Sequence, residues 1–451
     1  MTPLNPSKLT ALLKSEEQLF HRSHPKSYEL FQRARKSLQG GVPMLWMIRW
    51  AGSFPVFVKE AKGAHFTDVD GIDYIDFCLG DTGAMTGHSP EATVNAIVEQ
   101  LQKGITLMLP YENVVWVGEE LQRRFKLSYW QFALTATDAN RFALRMARMI
   151  TGRSKILVFN YCYHGSVDET FIVLDEEGTP MSRPNNMGPH VDPRFTTKVI
   201  EFNDIAALET ALSARDVAAV LAEPVMTNIG IIHPEPGYHD ALRELTRKYG
   251  TYLIIDETHT ICAGPGGYTA QFGLQPDFLT IGKPLAAGVP AAVYGFTEEV
   301  SQQFTSRLAV DDADVGGIGG TLAGNALSIA AMKATLQNVL TEEFYTKAIA
   351  LQECFTEGVE SVIKEFELPW IVKRLGNRSE YWFRPTAPKN GGEAFAAIDH
   401  DLDRYMHLFA LNRGILMTPF HNMALISPDT TQTDVDYHTK VFRDAVQALF
   451  G

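Results

Sequence analysis

Cysteine is scarce: Cys78, Cys162, Cys262 and Cys354 are scattered through 451 residues, with no CxxC pair and no histidine at metal-ligand spacing. That pattern excludes a disulfide framework and a zinc site, and it fits a reducing compartment. Positive charge is short as well. Forty Lys and Arg against 53 Asp and Glu leave a formal charge of −13, which argues against nucleic acid or an anionic membrane as the main partner. Long apolar runs are missing too. No stretch approaches the roughly 20 apolar residues that span a bilayer. The N-terminus, "MTPLNPSKLTALLKSEEQLFHRSHPKSY", holds acidic residues and no uninterrupted apolar block, so it does not read as a signal peptide. The expectation is a cytoplasmic protein.

What is present describes a globular chain, 45% hydrophobic and 21% charged, too long for one ordinary core and therefore expected to form two lobes. Residues 7–22 and 27–38 have the composition of two short helices joined by His-Pro. "FPVFVKEAKGAHFTDVDGIDYIDFCLG" alternates apolar and polar residues around Asp70-Gly71, the pattern of an antiparallel meander. From about residue 90, helical patterns (90–104, 115–125, 138–151, 205–213, 237–249) alternate with short apolar runs: "KILVFN", "VAAVLAEPV", "TYLIIDE", "DFLTIGK" and "AAVYGF". Such alternation predicts an α/β fold with a largely parallel sheet covered on both faces. The predicted plan is a large central domain over 71–330. Residues 1–70 and 331–451 together form a small α+β domain built from both ends of the chain.

Several of these runs end in charge or in a polar aromatic. Asp256, Glu223, Tyr163 with His164, and Lys283 all stand just past the carboxyl ends of predicted strands, where open α/β sheets bind ligands. Each alone could be an ordinary loop residue; together at one sheet edge they suggest a site. A lysine in the apolar setting "TIGKPLAAGVPAAVYGF" loses its proton more readily than a free one and can attack a carbonyl. An aspartate at a neighbouring strand end could hold a pyridinium nitrogen protonated, and the two together match what pyridoxal phosphate requires. Thr135-Ala136-Thr137, ahead of an amphipathic helix, offer hydroxyls and free amides for a phosphate, or else plain helix capping. Tyr163 could stack on a cofactor ring or lie in the core.

The ordered motifs "TDVDGIDYIDF", "GHSP", "TATDAN", "YHG", "EPV", "DET", "GK" and "GTLAGNA" resemble the class III (omega-type) aminotransferases of the fold-type I pyridoxal phosphate enzymes. That group includes glutamate-1-semialdehyde aminomutase, and the resemblance runs from about Gly41 to Pro428. It implies that Lys283 carries the cofactor as a Schiff base and moves the substrate proton, and that Asp256 pairs with the pyridine nitrogen. Ala136 and Thr137 are implied to hold the phosphate beside Thr135. Tyr163 is implied to stack on the ring beside His164, and Glu223 to sit near the phenolic oxygen. Thr321 is implied to reach the phosphate of a neighbouring subunit, which makes the active unit a homodimer with interfacial sites.

The chain departs from the family's pattern in three places. Thr135-Ala136-Thr137-Asp138 replaces Ser-Gly-Thr-Glu, Thr258 replaces a Val or Ile under the ring, and His421 occupies the place of a carboxylate-binding Arg near the C-terminus. Arg49 in "GGVPMLWMIRW" is a candidate replacement. Trp46 in the same segment could line an apolar substrate pocket or lie in the core, and Asp81 could face a cationic amine or merely shape a turn. With the carboxylate arginines absent, the expectation is a ping-pong omega-transaminase that moves an amino group from a bulky, hydrophobic or aromatic amine to a keto acid or aldehyde. The alternatives are an isomerase of the same fold, either an aminomutase or an amino-acid racemase, and a non-catalytic descendant. No metal is expected, nor any partner beyond the small-molecule substrates and a second copy of the chain.

Overall fold

Strand-forming runs of Val, Ile and Leu punctuated by amphipathic helices leave the strands no polar face, and the fold follows from that. The computed structural model describes residues 4–184, 186, 192–307 and 315–451. They divide into two compact units: one comprises Met1–Pro90, Thr346–Ala387 and Ala397–Gly451, the other Glu91–Tyr345 and Pro388–Ala396.

The second unit is built on a seven-stranded sheet. Its spatial order is Tyr129–Ala133, Ala292–Phe296, Phe278–Ile281, Tyr252–Asp256, Val217–Ala222, Lys155–Phe159 and Thr197–Ile200. All pairings are parallel except those of Ala292–Phe296, which runs antiparallel to both neighbours. Every residue of Val217–Ala222, Phe278–Ile281 and Ala292–Phe296 is buried, as a sheet covered on both faces demands. The Ala136–Thr151 helix lies against this sheet and ends at Gly152, whose φ of +66° suits a left-handed C-terminal cap. The register pairs Asp256 with Thr280, so Lys283 lies just beyond the end of the strand next to the one that Asp256 closes.

In the first unit, Phe20, Phe54, Phe66, Tyr74, Leu408 and Leu411 form a core cluster. The meander folds as expected, His65–Asp68 pairing antiparallel with Asp73–Asp76. Ile371–Leu375, Arg378–Trp382 and Met423–Leu425 form a separate antiparallel sheet. Beside it lies a polar knot. Asn422 donates to Asp403 (2.8 Å), His407 Nε2 stands 3.2 Å from the Asn422 amide oxygen, and His421 Nδ1 stands 3.3 Å from Glu380.

Burial, with added repulsion from Asp399 and Glu380, pushes the Asp403 carboxyl up to about 6 despite the Asn422 hydrogen bond. A carboxyl whose folded-state pKa exceeds its unfolded value of 3.8 loses stability as pH rises from 3.8 through 6. Asp403→Asn keeps an acceptor for Asn422 and removes the charge. It is expected to stabilise the protein by about 2 kcal/mol at pH 7.5 and by almost nothing at pH 3.5. Thermal unfolding at the two pH values checks this; an equal shift at both would contradict it.

Candidate active site

Asp256 and Glu257 are consecutive, and the alternation of an extended chain sends them to opposite sides. Glu257 is fully buried and accepts from the Thr260 hydroxyl (2.5 Å) and from the amides of Tyr268 (3.1 Å) and Thr269 (2.5 Å). A Cβ at Gly267, where φ is +65°, would stand 2.5 Å from its carboxylate, so Glu257 serves to fold this loop. Asp256 is buried on the other side. It accepts from the Thr258 amide (3.0 Å) and from Asn140 Nδ2 (2.9 Å), and His164 Nδ1 lies 2.9 Å away. The Thr280 hydroxyl donates to Asn140 Oδ1 at 2.6 Å, which fixes the Asn140 amide and aims its NH2 at Asp256.

Burial alone raises the pKa of Asp256. The His164 hydrogen bond and charge, together with hydrogen bonds from Thr258 and Asn140, outweigh it and bring the carboxyl down to about 2. Burial likewise opposes a charge on His164, yet Cys162 and Asp256 hold its pKa above the ordinary imidazole value. The result is a fixed, ionised carboxylate at the end of a central strand.

Lys283 follows Gly282 at the end of Phe278–Ile281. Its φ is +48°, the left-handed region that a side chain with a Cβ rarely enters. Its Nζ lies 2.7 Å from His259 Nε2. Gly282 permits a close approach here: a Cβ on it would stand 2.9 Å from the Ala136 Cβ and 3.1 Å from the Ala136 nitrogen. Lys283 is thereby set against the start of the Ala136–Thr151 helix.

At that helix start, Thr135 is the N-cap. Its hydroxyl accepts from the Asp138 amide (3.1 Å) and donates to the Asp138 carboxylate (2.9 Å), the capping role allowed for on sequence grounds. Ala136 is the first helical residue, so it needs none of the backbone freedom of glycine. The Thr137 hydroxyl accepts from the Ser166 amide (3.0 Å), and a Cβ on Gly165 (φ +73°) would lie 2.0 Å from it. The first-turn amides of this helix lack intrahelical acceptors by geometry and carry the positive end of its dipole.

Glu223 is buried and accepts from the Thr227 hydroxyl. Thr258 is buried, whereas Tyr163 is 39% exposed with its ring 6.3 Å from that of Phe171. Thr321 is exposed.

The remaining sequence candidates, Trp46, Arg49, Asp81 and His421, belong to the first unit. Trp46 meets Phe420 edge-on at 5.5 Å and donates its indole N–H to the Met44 sulfur, while Met44, Leu45, Ile48 and Arg49 are exposed. That run is not core of its unit. His421 is buried beside Glu380.

Three residues that lie beside sequence candidates within their own units escaped the sequence reading. Asn140 was detectable as a lone amide amid the apolar positions of an amphipathic helix. Arg378 is wholly buried with its guanidinium 4.0 Å from Asp81, and only burial of its strand reveals it. His259 lies against Lys283, its Nε2 being 2.7 Å from Nζ, and nothing in the sequence signals that contact. Among the described residues no cluster of His, Cys, Asp and Glu could hold a metal, and no helix is long and apolar enough to cross a membrane.

The family model "Aminotransferase class-III" matches residues 46–442. Glutamate-1-semialdehyde 2,1-aminomutase 2 of Halalkalibacterium halodurans is 32% identical over 95% of this chain and 99% of its own length. The crystal structure of a glutamate-1-semialdehyde-aminomutase from Pseudomonas aeruginosa PAO1 superposes with a TM-score of 0.97 at 47% identity, covering 99% of both chains. A lysine-to-alanine form of that Pseudomonas protein has been solved in complex with PMP. An omega-transaminase from Sphaerobacter thermophilus follows at a TM-score of 0.85 and 27% identity, over 94% of this chain and 98% of that one.

Proposed function

Because the chain belongs to the class-III aminotransferase family, we propose that it is a pyridoxal-phosphate-dependent isomerase of the 2,1-aminomutase kind, with glutamate 1-semialdehyde as substrate. The observation that carries the reading is the 47% identity, over 99% of both chains, to a structure named as such an aminomutase. This corrects the expectation of a ping-pong transaminase for hydrophobic or aromatic amines. The curated relatives at 30–32% identity over about nine-tenths of the chain are aminomutases, which agrees with the isomerase alternative. The expectation failed for a physical reason. A lysine at one strand end, an aspartate at the next and a helix-start anion cradle serve both reactions equally, so these residues cannot tell them apart.

The donor set fits the cofactor. Asp256 is anionic where a protonated ring nitrogen needs a counter-charge, and the Ala136–Thr151 helix presents first-turn amides beside the Thr137 hydroxyl. When bound, pyridoxal phosphate supplies an electron sink for the carbon that loses its proton. In this reading Lys283 anchors it, then takes and returns that proton at Nζ. Asp256 holds the ring nitrogen's proton. The amides of Ala136 and Thr137 bind the phosphate, with Thr135 capping the helix that presents them. Tyr163 would stack on the ring with His164 beside it, Thr258 would contact the ring, and Glu223 would serve the hydrogen-bond network near its phenolic oxygen. Trp46, Arg49, Asp81 and His421 contact the substrate.

The active unit is a homodimer, with Thr321 reaching the phosphate of the second copy. The Glu91–Leu101 helix supports this. It buries one side on Ala326–Asn338, with Thr93 and Thr335 hydroxyls 3.0 Å apart, and exposes Val94, Val98 and Leu101 on the other. Leu107, Met108, Leu109 and Val115 follow, also exposed, and so much apolar surface suits burial against another copy. Four cysteines without a disulfide among the described residues suit the cytoplasm.

Glutamate 1-semialdehyde supplied alone, with no second amine or carbonyl compound, should be turned over many times into an isomer of unchanged mass whose amino group has moved to the neighbouring carbon. NMR and mass spectrometry read this directly. A single stoichiometric turnover with release of a deaminated carbonyl product would refute the isomerase. The same preparation should sediment at twice 50.1 kDa; a 50.1 kDa species active at the same specific rate would refute the dimeric site.

A further inference from the structure

The loop after Asp256 carries a histidine that the assignment of Lys283 leaves without a task. His259 is only partly buried, and its Nε2 lies 2.7 Å from Lys283 Nζ. An amine that takes a proton becomes an ammonium with three N–H donors and no acceptor capacity. In an enclosed site those donors need partners, and a hydrogen bond to the charged form favours that form. An imidazole protonated on Nδ1 presents Nε2 as an acceptor at the observed distance.

The other ionisable groups of this turn are committed elsewhere. Asp256 is held by Asn140, His164 and the Thr258 amide, and Glu257 by Thr260, Tyr268 and Thr269. The backbone geometry points the same way. The left-handed φ of +48° at Lys283 is an unfavourable conformation, retained where surrounding contacts over-determine it.

We infer that His259 is the positioning residue for Lys283: through Nε2 it accepts one N–H of the Lys283 ammonium, stabilising the protonated amine and directing its remaining N–H groups. In the proton step, the amine lone pair of Lys283 takes the substrate proton. The hydrogen bond to His259 strengthens as the charge appears. When Lys283 gives a proton back, the same hydrogen bond weakens, and His259 ends the cycle in the protonation state in which it began.

The inference rests on Lys283 as the cofactor-bearing residue and is tested apart from turnover. The full chain, freed of cofactor, is acetylated in trace amounts with acetic anhydride across a pH series, and the label on Lys283 is read by peptide mass spectrometry. In His259→Leu the ammonium loses this acceptor, so the pH midpoint of labelling is expected to fall by about one unit. His259→Gln, whose amide oxygen can accept the same hydrogen bond, is expected to restore most of that shift, a rescue that guards against a fold defect in the leucine variant. A midpoint unchanged in both variants would overturn the inference. Borohydride trapping of pyridoxal phosphate on the wild-type protein addresses the underlying assignment independently: an adduct absent from residue 283 refutes that assignment, whatever the labelling reports.

Discussion

Lys283→Ala is expected to abolish isomerisation, with a loss on the order of 10⁴-fold or more, because one side chain is asked both to anchor the cofactor and to move the proton. The folded protein should survive the change. Alanine meets the same left-handed backbone that lysine already tolerates at φ +48°, and the side chain removed is only partly buried. Circular dichroism and thermal unfolding should therefore match the wild type, while borohydride treatment leaves no covalent cofactor on the chain. Residual turnover within tenfold of wild type, or an undiminished adduct elsewhere, would remove Lys283 from the centre of the mechanism.

Asp256→Asn is the second large effect. The substitution deletes the anion and also turns one acceptor into a donor. That donor faces either Asn140 Nδ2 and His164 Nδ1, which share one native carboxylate oxygen at 2.9 Å, or the Thr258 amide, which stands 3.0 Å from the other. Loss of a preorganised charge opposite the reacting system should lower kcat by about 10³-fold. Stability should fall by about 1–3 kcal/mol, the usual range for a buried polar group left unsatisfied; His164 can shed its proton and so limit the damage.

The pH dependence has a defined sign. A carboxyl brought down to about 2 contributes stability that is present above its unfolded value of 3.8 and lost as pH falls through 2. The wild type should lose this increment between pH 4 and pH 2, and the asparagine variant should show no such step. Acid unfolding monitored by fluorescence, alongside single-turnover kinetics, separates the two effects. Wild-type kcat in the variant would end the case for Asp256 as the ring's counter-charge.

Much of this was legible from the chain alone. Uninterrupted apolar runs located five of the seven large-sheet strands, and charges just past their ends located Asp256, Glu223 and Lys283. Tyr129–Ala133 and Thr197–Ile200 escaped because Gln131 interrupts one and Lys198 the other, leaving patterns too short and too mixed to stand out. The reversed direction of Ala292–Phe296 was equally hidden, since a strand buried on both faces looks the same read either way.

Glu257 follows Asp256 at the same strand end, but its carboxylate turns to a loop, which the sequence alone does not distinguish. His259 and Arg378 depend on side chains meeting across the chain, which no local periodicity encodes. The choice between isomerase and transaminase was out of reach for a different reason. It is a property of the whole substrate pocket, and the residues that speak most clearly in the sequence are those the two chemistries share.

The left-handed turn at Lys283 carries a lesson for anyone grafting this machinery onto another scaffold. Copying the lysine and the aspartate onto adjacent strand ends reproduces the inventory but not the angle of approach, which the hand of the turn and the bare Gly282 dictate together. A host whose corresponding corner is right-handed would send the amine off along a different bearing, and its designer should rebuild that corner before adjusting any neighbouring side chain.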